Sequence, residues 1–402
     1  MADPDGDFDR REFLRRSAAA GVALAAAPAL AEEPRVRRYA TLGKTGLRVS
    51  DIGFGSYPLD GDERLVHRAL DRGINYFDTA ESYMDGRSEE TLGRALRGKR
   101  KDVVLVSKAL LPPGMRATEM MRRLEGSLHR LQTDHLDIYF SHAVNDPKRL
   151  SNPEWPEFTA RAKEQGKIRF VGMSGHGGRL VKCVEYAMAN DLVDVFLTAF
   201  NFGQDPAFYA RILERLDLVA LQPKLPEALA RAKKKGIGVV AMKTLRGAAN
   251  NDVSRFQRDG ATFNQAAFRW VLSHDVVDSL VVTMETPAQV DEYLGASGWT
   301  RTAATDGAVL ARYEAREGGK QCRYGCDDCV ASCPAGVVIP EVLRTRMYAE
   351  DYGHPKIAKR EYRALEVDAS ACASCSGEPC AAACPHGISI PELTKHTGRL
   401  LG

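Results

Sequence analysis

Eight short apolar runs, each followed by a longer amphipathic stretch, constrain the fold of this chain more than any other feature of its sequence. The runs have the length of buried strands, and the stretches between them repeat apolar residues at helical spacing, as in 62–72, 116–131 and 178–190. Eight strand–helix alternations fit an α/β fold closed into a (β/α)8 TIM barrel better than they fit an open sheet. The predicted strands are 49–54, 74–77, 103–107, 136–140, 168–173, 195–200, 237–241 and 279–282.

The composition predicts a large core and gives no sign of a nucleic-acid partner. The 402 residues are 44% hydrophobic, which is enough for one large core and a smaller module. The 56 basic and 53 acidic residues leave a net charge of +3, and the basic run 233–235 is typical of the solvated end of a helix. We therefore expect no nucleic-acid partner, and no stretch is long and apolar enough to predict a stable membrane span.

Four polar side chains follow three successive predicted strands. Asp78 comes directly after the run 74–77, and Tyr83 lies five residues further on. Lys108 follows the next predicted strand, and His142 follows the one after that. Because the C-terminal ends of parallel strands meet at one rim of a barrel, we expect the four side chains to converge there. Each of them alone is often structural, so the prediction depends on their occurring together.

The order Asp, Tyr, Lys, His resembles the active-site tetrad of the aldo-keto reductase family. This resemblance implies the barrel fold of that family and an oxidoreductase that interconverts an alcohol with an aldehyde or ketone, sugars included. It extends over about 38–298 and includes several spaced motifs in the family's order. The other matching stretches are 42–50, 53–55, 88–93 and 172–176.

The tetrad has a consistent chemical logic. A free tyrosine titrates near pH 10, so we expect Lys108 to favour the phenolate of Tyr83, with Asp78 holding the lysine charged and oriented. His142 would donate to the carbonyl oxygen of the substrate. Tyr83 would then protonate the alkoxide as hydride reaches the carbon, or deprotonate an alcohol in the reverse direction. His176, on the same rim, is a candidate substrate contact and equally a candidate structural histidine.

The resemblance also implies a nicotinamide dinucleotide, bound at the rim without a glycine fingerprint. Ser174 stands where the family faces the carboxamide, and Met242 and Lys243 follow the seventh predicted strand. Gln289 stands near an expected arginine, and Glu292 lies in the same stretch after the eighth strand. That stretch, 283–293, contains no Lys or Arg, so the sequence predicts NAD(P) binding without strict selection for the 2′-phosphate of NADP.

The N-terminal 31 residues predict export. Arg10 and Arg11 precede Phe13 and Leu14, as in a twin-arginine (Tat) signal, and an alanine-rich apolar region ends in a small-x-small site at 29–31. That region is too short and too weakly apolar to span a bilayer. We expect the Tat translocase to be a partner during export and the protein to be periplasmic or otherwise exported by this route; a disordered alanine-rich helix is the alternative.

Eight of the nine cysteines lie in two groups near the C-terminus, while Cys183 is predicted to be a small core residue. Both groups end in Cys-Pro and continue into a similar Ile-Pro-Glu segment, so they form an internal repeat. The spacing resembles that of bacterial ferredoxins and implies two [4Fe–4S] clusters. The first group is Cys322, Cys326, Cys329 and Cys333, and the second is Cys372, Cys375, Cys380 and Cys384.

The ferredoxin pattern implies ligand sets that cross between the two groups. Four disulfides in an oxidising compartment and four-cysteine zinc sites are the alternatives. The repeated Cys-Pro ending favours clusters, and Tat export agrees because that route carries folded, cofactor-loaded proteins. The implied sets are Cys322, Cys326 and Cys329 with Cys384, and Cys372, Cys375 and Cys380 with Cys333.

The sequence thus predicts an exported oxidoreductase with four segments. These are a Tat signal (1–31), a barrel (37–300), a linker helix (301–317) and a ferredoxin-like domain (318–402). Electrons would pass through the two clusters to a partner redox protein. The alternatives are a redox-inactive barrel with a structural or docking iron–sulfur tail, and a barrel that keeps NAD(P) tightly bound beside structural clusters.

Overall fold

A closed barrel of eight parallel strands is the centre of the computed structural model, which describes residues 33–205, 224–246, 248, 253–258 and 260–402. The predicted signal, 1–31, and positions 206–223 lie outside the described residues. The strand order β10-β3-β4-β5-β6-β7-β8-β9 closes on itself, which confirms the predicted barrel. The strands are β1 (Tyr39–Thr41) and β2 (Arg48–Ser50), which form an antiparallel hairpin, and the barrel strands β3 (Ile52–Gly55), β4 (Tyr76–Asp78), β5 (Val104–Ala109), β6 (Leu136–Ser141), β7 (Ile168–Gly175), β8 (Val195–Ala199), β9 (Gly238–Met242) and β10 (Ser279–Thr283).

Helices cover the outside of the barrel and continue into the C-terminal part of the chain. Each barrel helix buries one apolar face; in α1, for example, Leu65, Val66 and Ala69 face the core, and the Asp62 side chain caps the helix by accepting from Arg64 N. The described helices are α1 (Glu63–Asp71), α2 (Arg87–Ala95), α3 (Ala117–Leu131), α4 (Glu154–Glu164), α5 (Leu180–Ala189), α6 (Lys224–Lys234), α7 (Phe263–Leu272), α8 (Pro287–Leu294), α9 (Ala304–Glu317), α10 (Ile339–Glu350), α11 (Pro355–Arg363), α12 (Pro379–Ala382) and α13 (Ile390–Leu401).

The predicted strand 49–54 is two strands in the structure. Residues before Asp51 belong to the hairpin β1–β2, and residues after it begin the barrel. Buried Asp51 accepts from Ser297 Oγ and from Gly298 N, both at 2.7 Å, so it ties the start of the barrel to the segment that follows α8. The sequence pattern of 49–54 does not reveal this break, because the residues that donate hydrogen bonds to the buried Asp51 carboxylate lie far away in the sequence.

The C-terminal segment, residues 318–402, has a hydrophobic core of its own. The helix before it, α9, does not behave as a free linker: Arg269 and Asp306 form an ion pair at 3.0 Å, and the rings of Phe263 and Tyr313 lie 4.7 Å apart. The polar stretch 341–361 lies in the two helices α10 and α11 and the turn between them, with Gly353 in a left-handed conformation just before Pro355. Within the described residues, no helix is long and apolar enough to cross a membrane.

Candidate functional site

Asp78, Lys108 and His142 lie together at the C-terminal rim because their strands are neighbours in the barrel. Asp78 ends β4, Lys108 lies in β5, and His142 follows β6. The Lys108 ammonium donates to Asp78 Oδ1 at 2.6 Å and to the Thr79 carbonyl oxygen at 2.8 Å. Lys108 and Asp78 are both buried, so the two charges compensate each other in a dry environment.

The turn after β4 brings Tyr83 over this ion pair. Lys108 Nζ lies 4.7 Å from the centroid of the Tyr83 ring, and the His142 ring stands edge-on to the same ring at 6.0 Å. Tyr57 contacts the other side of Tyr83, with ring centroids 5.2 Å apart. The four residues predicted from the strand ends therefore surround one point on the rim.

The protonation of Tyr83 differs from the expectation. Burial raises the pKa of the Tyr83 hydroxyl well above its usual value, and the charge of Asp78 acts in the same direction. Burial outweighs the lowering predicted from Lys108. Tyr83 therefore keeps its proton near neutral pH, and the site is prepared for proton donation rather than holding a phenolate.

Burial also sets the state of the other tetrad members. It raises the pKa of Asp78 and lowers that of Lys108, while the attraction between the two groups opposes both shifts. Burial, followed by the charge of Lys108, holds the pKa of His142 well below its usual value. The His142 imidazole is therefore neutral near pH 7 and carries one N–H that can be donated.

The tetrad opens into a cavity of about 440 Å³ whose walls come from both parts of the chain. The barrel supplies the floor, with the tetrad, Ser174 and the loop after β9. The helices α10 and α11 and the turn between them supply the roof. The residues of this roof are Tyr348, Tyr352, Gly353, His354, Ile357, Arg360 and Glu361. No local sequence motif predicts the roof. Its tyrosines at 348 and 352 are four positions apart, near the end of α10.

Three hydrogen bonds attach the roof to the rim. Glu341 Oε1 accepts from Gly178 N at 2.8 Å. Tyr348 Oη and His176 Nε2 are 2.8 Å apart, and Tyr57 Oη and His354 Nδ1 are 3.1 Å apart. His176, a candidate substrate contact from sequence, thus has one ring nitrogen bonded to the roof.

The cofactor candidates fall into two classes. Met242, Lys243 and Gln289 line the cavity, as does Ser174, whose hydroxyl accepts from Ala143 N at 2.8 Å. The Gln289 side chain also caps α8 by accepting from Glu285 N at 2.7 Å. Glu292 is not among the lining residues that the structure describes; its carboxylate accepts from Asn264 Nδ2 at 3.1 Å, outside the cavity.

The cavity wall fits a polar ligand. Thr244 Oγ1 and His142 Nδ1 are buried, and within the described part of the chain neither has a hydrogen-bond partner. A buried polar atom without a partner is costly, and both residues line the cavity, so a bound ligand with polar groups can satisfy them. Sequence reasoning missed Thr244, which directly follows the predicted Met242 and Lys243.

The cysteines of the two groups meet across the C-terminal segment, and none of the nine cysteines forms a disulfide in the structure. A second cavity, of about 160 Å³, is lined by the last cysteine of the first group and three cysteines of the second. Burial raises the pKa of Cys322, and the nearby thiols of Cys326, Cys329 and Cys384 raise it further. The cysteines that line the 160 Å³ cavity are Cys333, Cys372, Cys375 and Cys380.

Several known proteins are similar to this chain over half of its length or more. The relatives include L-galactose dehydrogenase of Arabidopsis thaliana, 26% identical over 311 residues that cover 68% of this chain and 92% of the relative. They also include the uncharacterized oxidoreductase YrpG of Bacillus subtilis (strain 168), 31% identical over 234 residues, or 52% of this chain and 67% of the relative. A solved aldo/keto reductase from Klebsiella pneumoniae, in complex with NADP and acetate, is 25% identical with a TM-score of 0.52, covering 69% of this chain and 95% of that one.

The family model described as the aldo/keto reductase family matches residues 46–303, which contain the whole barrel, the tetrad and the β9 loop. The match covers more than half of the chain. This chain is therefore an oxidoreductase that belongs to the aldo/keto reductase family.

Proposed function

We propose that this protein interconverts an alcohol with an aldehyde or ketone in the cavity beneath α10 and α11, with a nicotinamide dinucleotide as the hydride carrier. The observation that carries the proposal is the buried Lys108–Asp78 pair beside a protonated Tyr83, facing a cavity next to neutral His142. The names of two relatives, a sugar dehydrogenase and a reductase bound to NADP, agree with this chemistry.

Each tetrad residue has one task in carbonyl reduction. His142 donates its N–H to the carbonyl oxygen and orients it, and Tyr83 transfers its proton to that oxygen as the carbon accepts hydride. The electric field of Lys108 then stabilises the tyrosinate that remains, and Asp78 holds Lys108 in place. A bound dinucleotide supplies the hydride; Ser174, Met242, Thr244 and Gln289 line the wall that would hold it.

An assay with both nicotinamides tests this proposal. With a series of aldehydes, including aldoses, we expect one NAD(P)H to be oxidised for each aldehyde reduced. The stretch 283–293 contains no Lys or Arg that could bind the 2′-phosphate of NADPH. The kcat/KM values for NADPH and NADH should therefore differ by less than about tenfold, which is the effect of a single charge-assisted hydrogen bond. If neither nicotinamide is oxidised and none is released on denaturation, the proposed hydride carrier is wrong.

We also infer that the C-terminal segment holds two [4Fe–4S] clusters. The donor set fits: one cavity is lined by four thiols and no other metal-ligating group except Glu378, and Cys322 is half-buried near three further thiols. In both sets three cysteines come from one group and the fourth from the other, as the ferredoxin pattern implies. Such clusters store single electrons when bound, and the relay to a partner protein stays a prediction.

We further propose export through the Tat route, on the strength of Arg10 and Arg11 and the cleavage site at 29–31. In cells with a twin-arginine translocase, the full chain should reach the periplasm, and the double variant Arg10→Lys/Arg11→Lys should stay in the cytoplasm. The matched control is Arg37→Lys/Arg38→Lys, a pair beyond the cleavage site. Equal fractionation of all three proteins would contradict the proposal.

A further inference from the structure

Lys243 is a cation in the tetrad cavity that the tetrad chemistry does not use. It follows β9 with a φ of 55°, an unusual backbone angle for a lysine, and its side chain lines the cavity. Its ammonium lies 4.6 Å from the ring centroid of Tyr352 and 4.9 Å from that of Tyr348. Two roof rings therefore hold the lysine head by cation–π contacts.

No carboxylate compensates this charge. Among the residues that the structure describes, none forms an ion pair or hydrogen bond with Lys243 Nζ. The nearest strong influence is another cation, Arg344, whose own partners are Glu341 at 2.7 Å and Glu361 at 3.6 Å. Burial, and then the charge of Arg344, lower the pKa of Lys243 to about 7.

The groups around the lysine favour an anion. The field of Lys243 contributes to the lowered pKa values of His142, His176 and His354, so three neutral imidazoles surround it near pH 7. An uncompensated cation in a low-dielectric cavity is costly, and a bound oxyanion removes that cost. Besides Asp78 and Lys108 of the tetrad, the charged groups that line the same cavity are Arg360, Glu361 and Glu285.

We propose that Lys243, held between Tyr348 and Tyr352, is an anion subsite that binds the carboxylate of an anionic carbonyl substrate. This inference rests on the proposed carbonyl chemistry and names the class of substrate. We favour the substrate over the dinucleotide as the source of the anion for two reasons. The roof holds the lysine, and the charge of the lysine acts on His142, the residue that orients the reacting oxygen. The diphosphate of the dinucleotide offers the same oxyanion chemistry, and the experiment separates the two sources.

The test compares binding and turnover in Lys243→Met, which keeps the length of the side chain and removes the charge. Benzoate serves as an unreactive carboxylate, and calorimetry gives its Kd near pH 6.5. We expect Lys243→Met to weaken benzoate binding about tenfold or more, the contribution of a charge-assisted hydrogen bond. The ratio of kcat/KM for 4-carboxybenzaldehyde over benzaldehyde should fall by a similar factor. The control is Lys359→Met, which removes an exposed lysine on α11.

Each outcome decides the proposal. Unchanged benzoate affinity in folded Lys243→Met overturns it. Weaker NADP⁺ binding with unchanged benzoate binding also overturns it and assigns the lysine to the cofactor. If neither aldehyde is reduced but benzoate binding still depends on Lys243, the anion subsite stands and the proposed carbonyl chemistry fails.

The wild-type protein gives a second test that needs no variant. The anion binds the protonated ammonium, whose pKa in the free protein is about 7. Benzoate affinity should therefore be highest below pH 7 and fall as the pH rises through this value, by up to about tenfold per unit. Burial lowers the pKa of each of the three histidines, so they titrate on the acidic side of their usual range. Affinity that is constant from about pH 6 to 8 would overturn the proposal.

Discussion

Replacement of Tyr83 by phenylalanine is expected to reduce turnover by about 100-fold or more, because it removes the hydroxyl to which we assign the proton transfer to the substrate oxygen. The ring remains, so its contacts with Tyr57 and His142 and the cation–π contact with Lys108 are kept. The thermal unfolding midpoint should therefore stay close to that of the wild type. Steady-state kinetics with any aldehyde that the wild type reduces provide the measurement.

The matched control for this variant is Tyr186→Phe, which removes a tyrosine hydroxyl on α5, outside the cavity. Since burial keeps Tyr83 protonated well above pH 7, the wild-type rate should show no alkaline loss from this group between about pH 7 and 9. Wild-type turnover in Tyr83→Phe, or a loss as large in Tyr186→Phe, would remove Tyr83 from the proposed proton transfer.

The second large effect concerns iron. Protein purified without air should be brown and contain about eight irons per chain, four in each cluster. Replacing any one of the eight clustered cysteines by serine should lower this number to about four. Each cysteine belongs to one cluster, so its loss leaves the other cluster intact. A colourless protein with four disulfides would contradict this expectation. So would zinc in place of iron, for which Cys326, Asp328 and His386 offer ligand atoms within 4.8 Å of one another.

Two double variants decide which cysteines share a cluster. With ligand sets that cross between the groups, Cys322→Ser/Cys384→Ser damages one cluster and should retain about four irons. Cys372→Ser/Cys384→Ser then damages both clusters and should retain almost none. Sets confined within each group predict the reverse result. Iron analysis and the visible spectrum of the four proteins, wild type and the single variant Cys384→Ser included, give the answer.

The barrel and its tetrad were predictable from sequence because both depend on local patterns. Short apolar runs mark strands, and a residue at a strand end must lie at the rim, so Asp78, Lys108 and His142 could be placed without coordinates. The hairpin break at Asp51 could not, because the partners that satisfy its carboxylate lie about 250 positions away. Apolar periodicity carries no information about such distant contacts.

The protonation of the site was predicted least well, again for a physical reason. The prediction takes into account only the charge of Lys108 beside Tyr83. In the structure, burial by the surrounding chain has the largest effect on the pKa of the tyrosine. The roof, which lines the same cavity, follows the barrel in sequence and has no motif. Likewise, the contacts of Tyr348 and Tyr352 with Lys243 could not be predicted, because the fold brings together residues about 100 positions apart.

The shared cavity has a consequence for how such a protein evolves. One hydrogen bond joins Tyr57 of the barrel to His354 of the C-terminal segment, and another joins His176 to Tyr348. Both parts of the chain therefore form the pocket. Recombination that exchanged the segment for a different one would alter the pocket as well as the cysteine module, in a single event. Exchange of the segment would therefore change substrate range and cysteine module together.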